Sequence, residues 1–414
     1  MKKFVTLTCM VCLWALSSLG FSAEQDLHED VLNPNPALTL RQVLDKTIIR
    51  NPQQFQLSAG AYNVTVRQSM AESWLPNAPA ISVYHQNDTL GSARNERDWQ
   101  VFLEVPIWLP KQRLYRSKVA ELSLQELDTN REGVKLKVAG SLRDALWDIE
   151  MNSNQVVLAK ERIKLASQLE LDVEKKFKAG ELAKTDLMLI QQERMLAERQ
   201  MVLAEAELMH ARHRYILLTG LNEMPTRFEE GLSSKADFEQ SPLWLAAQSK
   251  VNLAQGEREL VDSEKRENPQ VMLNARNSQG AFDTQYNQSL GVTVRIPFDN
   301  PGRFGPLQSQ AEKQIANAMT ERESLRLALL TDLHEAEHNL KTTKLELEIA
   351  SRQLEIAREQ ARLSKKSFAL GESDLTSVLR IQAQAFEVEN TVRLRQTQYQ
   401  WNIARYNQAV GVLP

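Results

Sequence analysis

The segment FKAGELAKTDLMLIQ, beginning at Phe177, returns as FALGESDLTSVLRIQ at Phe368, an offset of 191 residues. The offset holds without a gap through Arg214-Tyr215 against Arg405-Tyr406 and on to Gly220 against Gly411. Upstream, LEVPIWLP from Leu103 stands at the same distance from VRIPFDNP at Val294. One unit is therefore written twice, and any fold has to accommodate two copies of the same supersecondary element. The division this predicts is residues 23–220 for the first repeat and 221–414 for the second.

Each repeat carries a long helical hairpin. Tracts from about Gln112 to Lys178 and from about Phe304 to Leu370 are each followed, after a short Gly-containing turn, by another helix of about 35 residues, giving hairpins over about 112–218 and 304–411. Their apolar positions alternate steps of four and three: Leu142, Ala145, Ile149, Asn152, Val156 and Ala159 in one, Leu333, Ala336, Leu340, Thr343, Leu347 and Ala350 in the other. That is a coiled-coil seam rich in small residues. At 1.5 Å per residue a tract of about 65 residues would be roughly 100 Å long. Ahead of each hairpin the period changes to two. Leu290, Val292, Val294 and Ile296 alternate with polar residues, as do Trp99, Val101, Leu103 and Val105, predicting strand hairpins at about 80–107 and 270–298. Four strands cannot close a barrel, so copies of the chain must be pooled.

The remaining composition excludes several classes. Only 15 Gly and 14 Pro in 414 residues favour long uninterrupted elements. With 50 basic and 53 acidic residues intermixed, there is no basic footprint for nucleic acid. Residues 1–22 read as a secretory signal peptide, with Lys2-Lys3, an apolar stretch and small residues before Ser22, so the mature chain is expected outside the cytoplasm. Both cysteines, Cys9 and Cys12, fall inside that segment, in no lipoprotein pattern. No later apolar run reaches the length of a spanning helix, so a membrane role has to be built from strands.

Residues 334–338 spell HEAEH, a match to the zinc-protease motif H-E-x-x-H. In the Leu333–Ala361 heptad, however, His334 and His338 fall off the packing seam, Glu337 places a charge inside the motif, and no third ligand follows. His210 and His213 are likewise off their seam. No catalytic residue, cofactor site or metal site is expected, and the chain is read as a non-enzyme.

These features together resemble the TolC-like outer-membrane efflux proteins over essentially the whole mature length. The resemblance is carried by LTLRQVLDKTIIRNP from Leu38, the duplicated F-x-x-G-E turns and the strand-Pro segments around Pro106 and Pro297. It implies a mainly α fold with a small β part: a homotrimer whose twelve pooled strands form an outer-membrane β-barrel, continued by an α-barrel tunnel of long helical hairpins into the periplasm. The implied function is passive exit for substrates delivered by an inner-membrane pump, of RND type, through a periplasmic adaptor (membrane fusion) protein. Outer-membrane lipid surrounds the barrel. Compact length, the absence of a lipobox and the segment WLPNAP from Trp74 look most like the CzcC-type heavy-metal branch. Drug efflux and type I protein secretion are the alternatives. A periplasmic coiled-coil adaptor is the rival class, opposed by the twofold repeat of strand hairpin and long helix.

The turns at 178–183 and 369–374 are where the long helices reverse, and are expected to be the periplasmic tips. By resemblance, Gly180, Glu181, Leu182, Gly371, Glu372 and Ser373 would meet the adaptor. The family often places acidic residues six and nine positions after the second turn glycine, at the resting constriction. Here those positions are Ser377 and Arg380, leaving Asp374 and Asp186 as the acidic candidates. Arg380 is expected either to face the axis or to pair with an acidic neighbour in the coiled coil.

Overall fold

The computed structural model describes residues 31–92, 94–298 and 301–414. The expected signal peptide, with Cys9 and Cys12, lies outside the described residues. In chain order the elements are β1 (Asn33–Asn35), α1 (Leu40–Arg50), α2 (Gln53–Glu72), β2 (Ala80–Asn87), β3 (Arg97–Pro106), α3 (Gln112–Lys178), α4 (Lys184–Thr219), β4 (Glu223–Pro225), α5 (Pro242–Ser263), β5 (Gln270–Gln279), β6 (Asn287–Arg295), α6 (Pro301–Ala369) and α7 (Leu375–Ala409). The fold is mainly α with one four-stranded antiparallel sheet in the order β2-β3-β5-β6. The short parallel pair β1·β4 and the helix α5 were not assigned from the sequence.

The seams read from the heptads are where the helices pack. Leu142, Ile149, Val156 and Ala159 are buried in α3, and Ala336, Thr343 and Ala350 in α6. α3 pairs with α4, and α6 with α7. Two polar seam positions find a partner across the seam, as a buried polar group requires. Arg194 Nε lies 2.7 Å from Glu170 of α3, and Asn402 Nδ2 donates to Thr343 Oγ1 at 2.9 Å. The two hairpins are joined by polar clasps: Arg393 reaches both carboxylate oxygens of Glu161 at 2.9 and 2.8 Å, and Asn154 donates to Thr397 Oγ1 at 3.0 Å.

The result is a layer of long helices hung from the sheet. Near the strands α3 packs on α2 and α5, and α5 on α6; further along, α3 packs on α4 and α7, and α7 on α6. One margin of the molecule is thus β2, α2 and α4, and the other is β6 and α6. Proline fixes where sheet gives way to helix. Pro79 precedes β2, Pro106 ends β3, Pro269 precedes β5 and Pro297 follows β6. The register places all four at the same end of the sheet, and a residue without an N–H stops the ladder there.

Midway down the helices a compact belt holds the layer together. Tyr215, fully buried, donates its hydroxyl to the Glu223 carbonyl of β4 at 3.0 Å, and burial pushes its pKa up to about 12. Trp147 packs edge-on to Phe228 with centroids 4.9 Å apart. The polar centre of this belt is Arg143, 3% exposed, which binds Glu230 through Nε at 2.6 Å and Nη2 at 2.7 Å, Gln408 Oε1 at 2.5 Å and the Val412 carbonyl at 2.9 Å. One guanidinium therefore ties α3 to the connection before α5 and to the C-terminal segment.

Removing one partner of such a pair strands the other charge away from water. Arg143→Met is expected to destabilise the fold by about 3–5 kcal/mol, whereas the double variant Arg143→Met with Glu230→Met should regain much of that loss. Denaturant midpoints of the three proteins would show it, and a single variant as stable as the parent would contradict the assignment.

Candidate functional site

In an antiparallel sheet, residues directly opposite one another share a face. Ile81, Leu103, Leu273 and Val292 form one cross-strand row, and Val83, Val101, Ala275 and Leu290 the next. These rows lie on one face, and that face is not covered: Leu290 is 89% exposed and Val292 70%. The opposite face carries Tyr84, Gln100, Arg276 and Ser289 in one row and Gln86, Asp98, Ser278 and Asn287 in another. Asp98 and Arg276 pair on this face, with Arg276 Nη2 2.9 Å from Asp98 Oδ2 and Gln100 donating to the same oxygen at 2.8 Å. The sheet is thus the inverse of a core sheet, with its apolar side in the open and a hydrogen-bonded polar side. β2 and β6 each have one unpaired edge.

At the far end of the helices the two turns share one geometry. Gly180 (φ +78°) and Gly371 (φ +79°) adopt the left-handed conformation. The Glu181 and Glu372 amides, five residues past their acceptors, donate to the carbonyls of Lys176 and Ser367, each at 2.9 Å. This is a glycine-terminated helix end in which the last carbonyls are capped by the reversing chain. A Cβ at either glycine would meet nothing within 4 Å, so only the backbone conformation demands glycine. Gly180, Glu181, Gly371 and Glu372 are exposed, while Leu182 and Ser373 are half-buried. Behind the turns, Leu169, Val173, Ile190, Phe368, Leu375 and Val378 form a small core. Lys176 joins the two turns by donating to the Phe368 carbonyl at 2.8 Å with its Nζ 4.4 Å from that ring's centre. The heptads gave no signal of this link; only the parallel KKF and KKSF sequences before the two turns hint at it.

The constriction candidates are placed as follows. Asp186 accepts from the Ala183 amide at 3.2 Å, and Asp374 accepts from the Ser377 amide at 2.7 Å and from the Ser377 hydroxyl at 2.8 Å. Both carboxylates thereby cap the return helices α4 and α7, satisfying amides that a helix start leaves free. Arg380 is exposed and has no hydrogen bond or ion pair among the described residues. Of the two placements expected for Arg380, pairing with an acidic neighbour is not made among the described residues.

His334 and His338 are exposed on α6, with Ala336 between them buried in the seam, and His338 Nδ1 lies 3.3 Å from Thr342 Oγ1. Among the described residues no group of three or more His, Cys, Asp or Glu is placed to hold a metal ion. No helix among them is long and apolar enough to cross a membrane.

The hydrogen bonds from Ser377 hold the Asp374 carboxyl below its ordinary value of 3.8. Because the folded state binds this proton less tightly than the unfolded state, the cap contributes fully above the unfolded value and is lost as pH falls through the lower folded one. Asp374→Ala is expected to speed hydrogen exchange at the start of α7 at neutral pH, with the difference from the parent disappearing in strong acid. Asp374→Asn, which keeps the acceptor, should lose less. Equal exchange in all three at neutral pH would show that the cap is not formed.

Residues 225–412 match the sequence profile of the outer membrane efflux protein family. No curated protein matches the chain at a significant level. Among solved structures, a membrane protein from Pseudomonas aeruginosa is similar over 98% of this chain and 97% of its own, at 16% identity and a TM-score of 0.72. CusC is similar over 95% and 96%, at 14% identity and a TM-score of 0.70. The CmeC outer membrane channel of Campylobacter jejuni is similar over 98% and 94%, at 14% identity and a TM-score of 0.70. At these identities the likeness establishes a shared fold.

Proposed function

We propose that the chain is the outer-membrane channel subunit of a tripartite efflux system, three copies forming a passive exit duct. The observation that carries this reading is the inverted sheet. Strands of 8 to 10 residues are the length that a tilted strand needs to cross an outer membrane. Their exposed apolar rows suit lipid, their polar rows suit a water-filled lumen, and the two free edges demand closure, because hydrocarbon offers no partner to a bare backbone. Three chains supply twelve strands. The long helices then extend the duct across the periplasm. A coiled-coil adaptor, the rival class, has no use for such a sheet.

In this reading the turns around Gly180, Glu181, Leu182, Gly371, Glu372 and Ser373 meet the tips of a periplasmic adaptor, which couples the duct to an inner-membrane pump of RND type. Substrate choice resides mainly in that pump. Heavy-metal cations are the substrate class favoured by the resemblance of the WLPNAP segment and the compact length to the CzcC-type branch; drugs and secreted proteins are the alternatives. Deleting the protein and measuring tolerance to zinc, cobalt, cadmium, copper, silver and a drug panel tests both levels at once. Loss of tolerance to metals alone is expected, and loss confined to drugs would overturn the metal assignment. Bulky substitution at Gly180 or Gly371 should abolish complementation while leaving trimers in the outer membrane; normal export by both variants would remove the turns from the adaptor contact.

Arg380, exposed near the tip with no partner among the described residues, is assigned to the constriction. Three cations around one axis would repel entering cations. Arg380→Asp is expected to raise cation preference in planar bilayers, and unchanged selectivity and conductance would place the residue away from the axis.

A further inference from the structure

We infer that the two helical margins of the chain are complementary halves of one interface, in which Met188, Met195 and Val202 of α4 pack against Leu363, Ile356 and Ile349, respectively, of α6 in a second copy. The inference rests on the ring assembly proposed above and adds which faces meet and in which register.

Two independent stripes carry it. On α4 the seam toward α3 runs through Leu187, Ile190, Arg194, Ala197 and Met201. Met188, Met195 and Val202 recur every seven residues one position past that seam's members, roughly 130° round the helix from the seam's centre. On α6 the seam toward α7 includes Thr343, Ala350, Ala357 and Ser364; Ile349, Ile356 and Leu363 recur every seven residues one position before its members. All six side chains are half or more exposed. Scattered surface leucines need no explanation, but a heptad of large apolar groups on the outward side of a long helix marks a missing partner.

The stripes sit on opposite margins of the layer, α4 on the side of β2 and α6 on the side of β6. A contact between unlike margins is heterologous, and closes into a ring when the rotation permits. Rotation about an axis along the helices leaves heights unchanged, so the register follows from each residue's distance to its own turn. The two turns are level, since Lys176 donates to the Phe368 carbonyl at 2.8 Å. Met188 lies four residues from the start of α4 and Leu363 six from the end of α6; for Met195 and Ile356 the distances are eleven and thirteen, for Val202 and Ile349 eighteen and twenty. Each pair is therefore level to within about 3 Å. Because α4 and α6 run in opposite directions, a step of seven along one matches a step of seven back along the other, and all three pairs form together. Flexible Met188 and Met195 facing the branched side chains of Leu363 and Ile356 suit such a groove.

The test uses disulfide trapping in full-length protein with Cys9 and Cys12 replaced by serine. Met195→Cys combined with Ile356→Cys, and separately Val202→Cys with Ile349→Cys, should give covalent trimers on oxidation in outer membranes. Each single variant should stay monomeric in denaturing gels, as should Met195→Cys with Leu370→Cys, whose positions are about 18 Å out of level. Light scattering on the extracted protein separates the two readings. A trimer in which neither matched pair crosslinks, or in which the mismatched pair does, overturns the register; a monomer overturns the ring assembly itself.

Discussion

Unpaired backbone at the edges of an amphipathic sheet is the constraint on which the rest of this molecule depends. An isolated four-stranded sheet with one apolar face could be rescued in water by laying a helix across that face, which is how most α+β domains are built. Here every long helix lies beyond the ends of the strands and none covers them. The apolar rows through Ile81, Leu103, Leu273 and Val292 stay bare, and the proposed assembly completes the sheet by setting that face against hydrocarbon and by supplying strands of other copies to β2 and β6. The helices inherit their role from this, because whatever closes the sheet into a cylinder must close the helical layer beneath it.

That layer is held by a different kind of contact. Its seams use alanine, serine and threonine as freely as leucine, so helices approach closely and bury little apolar area per residue. Compensation comes from polar clasps placed at intervals: Arg143 with Glu230 in the belt, Arg393 with Glu161 lower down, Lys176 with Phe368 at the turns. Such contacts are directional, so they fix the register of one hairpin against the other more sharply than apolar burial alone would.

Much of this architecture was legible in the sequence, because period and repeat are local signals. The change from period two to alternating steps of three and four marked where strand yields to helix, and Gly180 and Gly371 marked the reversals through a backbone conformation that only glycine adopts cheaply. What stayed hidden depends on contacts far apart in the chain. α5 was missed although its Ser241-Pro242 start is a fair helix signal, because its packing face is made by α3 and α6. The parallel pair β1·β4 joins residues 190 positions apart and consists of NPN and EMP, neither strand-like in composition. At the candidate constriction the sequence showed which charges were present, but not that Asp186 and Asp374 would be engaged as helix caps while Arg380 had no partner among the described residues.

In the proposed outer-membrane channel, the four prolines at one end of the sheet have a further consequence for the bilayer around it. Pro79, Pro106, Pro269 and Pro297 all fall at the helix-proximal end of the sheet and limit how far the ladder can lengthen toward the helices. The helix-proximal rim of the apolar band would then be held by the prolines, and a thicker or thinner bilayer would be met at the opposite rim, where the strands are joined by the connections at residues 88–96 and 280–286. Hydrophobic mismatch thus acts on one side alone. In such a channel the helices would keep their reach from the membrane surface whatever the lipid above it does.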